Sequence, residues 1–436
     1  MTIVRPKWEV KGPGIIESLE SGPLSGVVVV VHGQHVAKSE FRKIFVELGA
    51  TVIEVSSLKT RGDGARFVPP LYGDDDSYFY WLGNFGAGAN VAVDPTTPAG
   101  HEVTDRLHAR ADIVVSNSPL KVQRECGYDW KTLSSRYPWL IAGYLSFAGL
   151  TGPLAEMTGF HHTALAMSGI ALLNSVEGAA LGAIPWVDHG AANRLVLGLL
   201  AALYERDRPG TGTGKGKLVE TSLLEYAVEK TGYHAGIAWT PHLRKLVHVD
   251  AKQWDRHLTV PTLFLGRCKY GERVVVGAVM PAQVKKLFQA LDLEHLFSDP
   301  RFATAEARRA NAHGLLAMLH DKTRRLSGQE LVEMIRSRTS GGVPVALCED
   351  IANVCTDPHL IERGMICRAP GPDGQDLTVP GFALRVGEER PTTRKVRARR
   401  SGEDTAAVLE RALGFSKSEI GDLERAGTIY LHHGSG

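Results

Sequence analysis

Apolar runs alternate with amphipathic stretches along the first half of the chain. Residues 26–31 are a glycine followed by five valines, and residues 51–55 form a second apolar run. Between them, residues 41–48 carry apolar side chains at helical spacing. Continuous apolar strands are typical of parallel sheets, which are buried on both faces. The three segments therefore predict a β-α-β unit.

The same alternation continues to about residue 230. Strand patterns lie at 91–94, 111–117, 139–147 and 218–227, the last passing from a short strand into a helix, and 98–110 has a helix pattern. Alternating strands and helices predict a doubly wound α/β domain with a mostly parallel sheet. Ligands of such sheets bind at the carboxyl ends of the strands, so we expect the site there.

The composition shifts near residue 230. The segment 230–339 has one strand pattern, at 273–279, and several amphipathic helices. We predict that it is a smaller inserted α+β domain. Residues 1–229 and 340–436 then form the large domain, to which the chain returns through the apolar stretch 343–347.

Composition narrows the class of protein. With 43% hydrophobic and 22% charged residues, the 436-residue chain is typical of a soluble globular protein. Its 50 basic and 48 acidic residues nearly cancel, which gives no argument for nucleic acid or an anionic membrane. Five scattered cysteines without a CxxC pattern favour a reducing compartment and argue against a structural zinc site. Without a membrane-spanning run or leader pattern, we expect a cytoplasmic protein.

Several other chemical patterns are weak. The turn after the first strand lacks GxGxxG, and the glycine-rich basic segment 210–217 lacks P-loop spacing, so it is read as a connector. The neighbours His161 and His162 point in different directions, which disfavours a metal pair. The 17 histidines leave a Ser-His-Asp triad open by count, but no GxSxG motif supports one.

Asp188 is the strongest single candidate for chemistry. It follows the short apolar segment 184–187 and precedes the apolar helical stretch 191–204. Aspartate is a preferred helix N-cap, and spacing alone favours that interpretation. A carboxylate that is ionised and shielded from water can also be a covalent nucleophile, and Trp186 would contribute to an apolar flank. Both interpretations remain open at this point.

Short motifs occur in a fixed order on both sides of Asp188. They are Gly152-Pro153, Gly159-Phe160, 166–169, Ala191-Ala192, 198–206, 213–217, 298–302, 308–311, 342–344, 357–358, 363–364 and 402–405. This succession resembles the class III CoA-transferases, the family of formyl-CoA transferase and carnitine CoA-transferase. The resemblance extends over nearly the whole chain.

The resemblance implies a mechanism and partners. Asp188 would attack an acyl-CoA, form a mixed anhydride and then an aspartyl-CoA thioester, and pass CoA to a small carboxylic acid. Coenzyme A and acyl-CoA would be substrates, with no metal. Interlocked homodimers are the assembly that the family implies.

The resemblance also assigns contacts to CoA. They lie after the first strand, near the ends of the second and third strands, and after the strand that ends near residue 117. The residues are Gln34, His35, Val36, Lys59, Val93, Asn117 and Arg124.

Two alternatives to CoA transfer remain open. The resemblance includes the α-methylacyl-CoA racemases, in which Asp188 would act with a histidine as an acid–base pair. His161 or His162 would have to supply that histidine. A non-catalytic subunit that pairs with an active homologue is the other alternative.

Overall fold

The computed structural model describes residues 22–60, 62–72, 76–86, 88–174, 181–243, 260–387 and 397–433. The amino-terminal segment 1–21, where no leader is predicted, lies outside these residues. The chain divides into two compact units, of which one comprises Met1–Trp239 with Pro358–Gly436 and the other Thr240–Asp357. The sequence placed these boundaries after residues 229 and 339.

The strands are β1 (Val28–His32), β2 (Thr51–Ser57), β3 (Leu71–Tyr72), β4 (Asp76–Ser77), β5 (Ala89–Val93), β6 (Ile113–Ser116), β7 (Ile141–Ser146), β8 (Leu218–Ser222), β9 (Leu263–Arg267), β10 (Arg273–Gly277), β11 (Val345–Leu347), β12 (Ile366–Pro370), β13 (Asp376–Pro380) and β14 (Ile429–Tyr430).

The helices are α1 (His35–Glu47), α2 (Tyr78–Gly83), α3 (Pro98–His108), α4 (Leu120–Glu125), α5 (Trp130–Arg136), α6 (His161–Met167), α7 (Ile170–Leu173), α8 (Trp186–Asp207), α9 (Leu223–Trp239), α10 (Pro281–Ala290), α11 (Ala305–Ala310), α12 (Ala312–Thr323), α13 (Gly328–Thr339), α14 (Ile351–Val354), α15 (Pro358–Glu362), α16 (Thr405–Ala407) and α17 (Lys417–Arg425). Gly232 interrupts α9, and a π-helical turn, Val408–Ala412, follows α16.

A seven-stranded sheet forms the centre of the first unit. Its order is β14, β5, β2, β1, β6, β7 and β8. Only β14 runs antiparallel to its neighbour, and the other five pairings are parallel. The six parallel strands thus lie in the order three-two-one-four-five-six, which is the order of doubly wound sheets. The predicted, mostly parallel sheet is confirmed.

The valine run of β1 is explained by cores on both faces of this sheet. Val29 and Val31 belong to a core that includes side chains of α1 and α8. Val28 and Val30 belong to a second core, with side chains of α3 and α17. Because consecutive side chains of a strand point to opposite faces, a strand covered on both faces has no polar alternation.

Helix α8 begins earlier than the sequence indicates. Its N-cap position is Pro185, so Asp188 lies in the first turn and the capping prediction is wrong. Proline is well suited to a helix start because its φ is fixed and no amide hydrogen is lost. Val187 is fully buried in the core, and this packing extends the helix toward its amino end.

The second unit has a three-stranded antiparallel sheet in the order β11, β10, β9. Strand β10 confirms the pattern at 273–279, whereas β9 was not foreseen. The stretch 343–347, which the sequence analysis assigned to the return into the large domain, contains β11. None of the helices within the described ranges is both long and apolar enough to cross a membrane.

Candidate active site

Hydrogen bonds join the residues that follow β1 and β6, at the point where the strand order reverses. The side-chain oxygen of Asn117 accepts the Gln34 amide hydrogen at 3.0 Å, and its Nδ2 donates to the Gln34 carbonyl at 2.8 Å. Gly33 has φ +114°, and a Cβ there would lie 1.8 Å from Asn117 Oδ1. This close approach requires glycine.

A cavity of about 460 Å³ lies along this edge of the sheet. Residues that follow β1, β6 and β7 line it, together with the segment 155–160. Asp188 also lines it, from the first turn of α8. Crevices at such switch points are the usual ligand sites of doubly wound sheets. The fold thus places a carboxylate at the expected binding site.

The Asp188 carboxyl group is a weaker acid than an ordinary aspartic acid. Burial raises its pKa to about 6, against the opposing effects of His189, its own amide hydrogen and His162. At neutral pH it is mostly ionised, yet poorly solvated. An anion of raised basicity in a partly dry cavity is a competent nucleophile or base.

His189, the next residue, is held by an acidic group from α1. Its Nδ1 lies 3.1 Å from Glu40 Oε2, and Lys43 Nζ lies 2.9 Å from the same oxygen. Burial opposes the charge of Glu40, but the bond to His189 and the ammonium of Lys43 bring its pKa down to about 2. Glu40 is therefore a fixed anion that orients the His189 ring beside Asp188.

Part of the cavity wall is formed by apolar core side chains. Leu145, Phe147, Leu223 and Ala37 line the cavity and belong to the same core as Val187. All four are at most 6% exposed. The carboxylate of Asp188 therefore shares its cavity with rigid hydrocarbon, a surface that excludes water from a reacting centre.

Gly159 lets Phe147 occupy this wall. A Cβ on Gly159 would lie 2.5 Å from the Phe147 ring. Phe160, the next residue, packs edge-on against His35 at a centroid distance of 5.9 Å. Gly159 and Phe160 thus connect the apolar wall to the turn after β1.

Another part of the wall contains polar aromatic side chains. His32 stacks on Tyr128 at 4.1 Å, and its Nε2 lies 2.9 Å from His108 Nε2. Burial lowers the pKa of His32 to about 3 and that of His108 well below its ordinary value. Both imidazoles are therefore neutral, and one donates a hydrogen bond to the other.

A buried ionic network supports the turn after β1. The His35 amide hydrogen bonds to Asp63 Oδ1 at 2.8 Å, and Asp63 Oδ2 lies 2.7 Å from Lys38 Nζ. Lys38 also bonds to Glu54 at 2.9 Å and to Asn84 at 3.1 Å. Burial opposes the charge of Asp63, but Lys38 lowers its pKa. His35 has φ 63°, and this backbone bond holds the left-handed conformation.

Three of the proposed CoA contacts line the cavity with Asp188. They are Gln34, His35 and Asn117, all at the switch point. The sequence indicated these residues by their position, because each follows a strand that ends at the cavity.

The other four proposed contacts lie outside the cavity lining. Val36 is the second residue of α1, and Val93 is fully buried in β5. Arg124 pairs with Glu156 at 2.9 Å. Lys59 is exposed and lies near Asp94. Burial opposes ionisation of Asp94, but hydrogen bonds from Thr96 and the charge of Lys59 lower the pKa of Asp94.

His161 has a structural position. It is 2% exposed, and its Nδ1 accepts the Val187 amide hydrogen at 3.4 Å. Burial, followed by the charge of His162, lowers its pKa. Neither histidine lines the cavity. In the part of the chain that the structure describes, no group of three or more histidine, cysteine, aspartate and glutamate side chains is arranged to hold a metal ion.

The wall residues His32, Tyr128, Phe147 and Leu223 were not singled out from the sequence. His32 and Leu223 lie at the ends of β1 and β8, so strand position was an available signal. Tyr128 follows α4, and only the folded chain brings it against His32.

Comparison with known proteins gives the class. The sequence model described as CoA-transferase family III matches residues 24–405, so the chain belongs to this family. It is an enzyme, a class III CoA-transferase, in agreement with the resemblance found in its motifs.

Individual relatives are similar over most of their length. The human succinyl-CoA:glutarate CoA-transferase is 23% identical over 421 residues, which cover 94% of this chain and 90% of that protein. The acetyl-CoA:oxalate CoA-transferase of Acetobacter aceti is 25% identical over 384 residues, covering 86% and 93%.

Solved structures share the fold. A CAIB/BAIF family protein from Brucella suis has a TM-score of 0.73 at 24% identity, and covers 89% of this chain and 99% of its own. Rv3272 from M. tuberculosis has a TM-score of 0.72 at 24% identity, with coverage of 88% and 98%.

Proposed function

We propose that the enzyme transfers CoA from an acyl-CoA to a carboxylic acid through covalent intermediates on Asp188. The observation that carries this proposal is the place of Asp188, a partly buried carboxylate of raised pKa on the wall of the switch-point cavity. Family membership supports the overall reaction.

In the first half of the reaction, the Asp188 carboxylate attacks the thioester carbonyl of the donor. The C–S bond breaks, CoA leaves as a thiolate, and a mixed anhydride of Asp188 and the acyl group remains. The thiolate then attacks the aspartyl carbonyl of the anhydride. This step expels the donor as its free carboxylate and leaves an aspartyl-CoA thioester.

The second half repeats these steps in reverse with another acid. The acceptor carboxylate attacks the aspartyl thioester and expels the CoA thiolate, which gives a second anhydride. The thiolate attacks the acceptor's carbonyl, and Asp188 is released as a carboxylate with the new acyl-CoA. Water would hydrolyse either anhydride, and the apolar wall supports its exclusion.

We place CoA along the ends of β1 and β6. The amino end of α1 begins there, at His35, and helix amino ends favour anions such as a pyrophosphate. Gln34 and Asn117 line the same edge, and Lys59 lies near the strand ends. Val36 belongs to the first turn of α1.

Two of the assigned contacts need particular geometry. Because the Val93 side chain is buried, its contribution to CoA binding would come from the backbone or from the shape of the β5 end. Arg124 would exchange its ion pair with Glu156 for a phosphate of CoA. An interlocked homodimer, which the family resemblance implies, remains part of the proposal, and light scattering of the purified protein tests whether it is a dimer.

The function is tested with a labelled acid. The protein is incubated with an acyl-CoA and a carbon-labelled carboxylic acid, and the label is followed into the CoA ester. Transfer of label supports the proposal. Exchange of the α-hydrogen with deuterated solvent, without label transfer, would instead identify a racemase, and absence of CoA binding would identify a non-catalytic subunit.

The pH dependence of transfer provides a further prediction. The Asp188 pKa of about 6 predicts that kcat/KM falls as the pH decreases through about 6, because the nucleophile becomes protonated. His189→Gln removes a group that favours the carboxylate and should move this limb to higher pH. Arg194→Gln, on the same helix and paired with Glu229, is the matched control and should leave the limb in place. A limb that is unmoved by His189→Gln would contradict the assigned role of His189.

A further inference from the structure

We infer that the acid served by this site is an apolar monocarboxylic acid, held against Leu145, Phe147 and Leu223. The inference rests on the proposed function and specifies its substrate class. The human relative is named for glutarate and the Acetobacter aceti relative for oxalate, acids with two carboxylates. The cavity of this chain fits a different chemistry.

The wall around the nucleophile is built from core side chains. Leu145 and Phe147 come from the carboxyl end of β7, and Leu223 from the first residue of α9. The Leu224 amide hydrogen bonds to the Phe147 carbonyl at 2.9 Å, which fixes the two segments to each other. This wall is therefore preformed, and an apolar chain that lies on it gains about 25 cal/mol for each Å² of buried surface.

Among the described lining residues of the cavity, the carboxylates have no lysine or arginine beside them. Asp188 and Glu156 line it, and among its described lining residues there is no lysine or arginine. The nearby cation Arg124 is paired with Glu156 and, in the proposed complex, would bind a phosphate of CoA, so it would not balance a second carboxylate of the acid. His32, which also lines the cavity, stays neutral because burial lowers its pKa to about 3.

A second carboxylate on the substrate would be placed poorly here. It would lose its hydration against hydrocarbon, and burial of an unpaired charge is costly. When a donor acyl-CoA binds, the anionic Asp188 in the same cavity would also repel a second carboxylate. At the acceptor step Asp188 is an uncharged thioester, so the cost there is the lost hydration alone. An alkyl or aryl group has neither cost, so these electrostatics select acids with one carboxylate.

Gly159 adjusts the depth of this apolar region. Its missing side chain accommodates the Phe147 ring, because a Cβ would lie 2.5 Å away. Gly159→Ala should therefore displace the ring into the cavity and reduce the use of long acyl chains more than that of short ones.

The test compares acids of equal carbon number. The wild-type enzyme is assayed with hexanoate and adipate as acceptors, and with hexanoyl-CoA and adipyl-CoA as donors. We expect kcat/KM to favour the monoacid by about 100-fold or more, the range over which an unpaired polar group is rejected. Equal use of the two acids, or preference for adipate, would overturn the inference while leaving CoA transfer intact. If label transfer is absent with both acids and also with shorter and longer monoacids and diacids, the proposed function itself fails.

A substitution in the wall gives a second measurement. Leu223→Arg places a cation at the apolar wall and should reduce the preference for hexanoate over adipate by at least about 10-fold. Ile351→Arg, at an exposed apolar residue of the second unit, is the control and should leave the preference unchanged. Since the wild-type comparison needs no variant, poor folding of Leu223→Arg leaves the inference testable.

Discussion

Asp188→Asn is expected to reduce the turnover of CoA transfer by about 10³-fold or more, the range typical for loss of a covalent nucleophile. Asparagine has nearly the same shape, but its amide nitrogen cannot form an anhydride that exchanges with a thiolate. Asp188 follows the core residue Val187, and none of the proposed CoA contacts is on α8, so the dissociation constant for CoA should change little. Steady-state kinetics and calorimetric CoA binding measure the two quantities separately.

The control for this prediction is Glu40→Gln. Glu40 bonds to His189 at 3.1 Å and to Asn193 at 3.4 Å on α8, and it is not among the described residues that line the cavity. We expect a loss of less than about 10-fold, as for a group that positions another. An Asp188→Asn enzyme that retains more than a tenth of wild-type turnover would contradict the role of Asp188 as nucleophile.

Lys38→Ala is expected to lower the free energy of unfolding by about 3–5 kcal/mol, the usual effect of removing one partner of a buried ion pair. Lys38 is fully buried and lies 2.7 Å from Asp63 and 2.9 Å from Glu54. Its removal leaves two buried carboxylates with fewer charge partners. Denaturant-induced unfolding of the first unit measures this loss of free energy.

Lys43→Ala on the same helix is the matched control. Lys43 is 27% exposed and pairs with Glu40, so its loss should cost less than about 1 kcal/mol. The difference between wild type and Lys38→Ala should narrow as the pH falls through the carboxyl range. Lys38 lowers the folded-state pKa of Asp63, so its stabilisation is present above the ordinary value of 3.8 and is lost as the pH falls below it. Equal losses for the two lysine variants would refute the structural role of the buried network.

The pattern of apolar residues was sufficient for the parallel sheet, because its central strands β1, β2, β5, β6 and β7 are buried on both faces and carry that signal locally. The valines of β1 belong alternately to two cores, and no polar alternation interrupts them. Strand β9 was missed for the opposite reason. Its central residues alternate between buried and partly exposed positions, and a five-residue segment of that kind has a weak pattern until β10 pairs with it.

The site was predictable in position but not in its internal contacts. Asp188 was recognised from its place before an apolar helix and from the motifs around it, although the start of α8 at Trp186 was not. The bond of Asn117 to Gln34 joins residues 83 positions apart, and the ion pair of Lys38 with Asp63 also crosses several elements. Local spacing contains no information on such pairs, because tertiary packing determines them.

The buried ionic network around Lys38 is connected to the cavity through the turn after β1. Asp63 accepts the His35 amide hydrogen, and the His35 ring then packs against Phe160. The ionic network therefore supports the turn that borders the cavity, while the core valines hold β1 beneath it. The hydrogen bond from the His35 amide to Asp63 therefore links the stabilising effect of Lys38 to binding at His35.

The most direct test of the central claim is covalent trapping on Asp188. The enzyme is incubated with hexanoyl-CoA and quenched with hydroxylamine, and its peptides are examined by mass spectrometry. An anhydride or aspartyl-CoA thioester reacts with hydroxylamine to give an aspartyl hydroxamate, so the account predicts that modification on Asp188, only when acyl-CoA is present. Label transfer to an acceptor acid without any hydroxamate on Asp188 would contradict it.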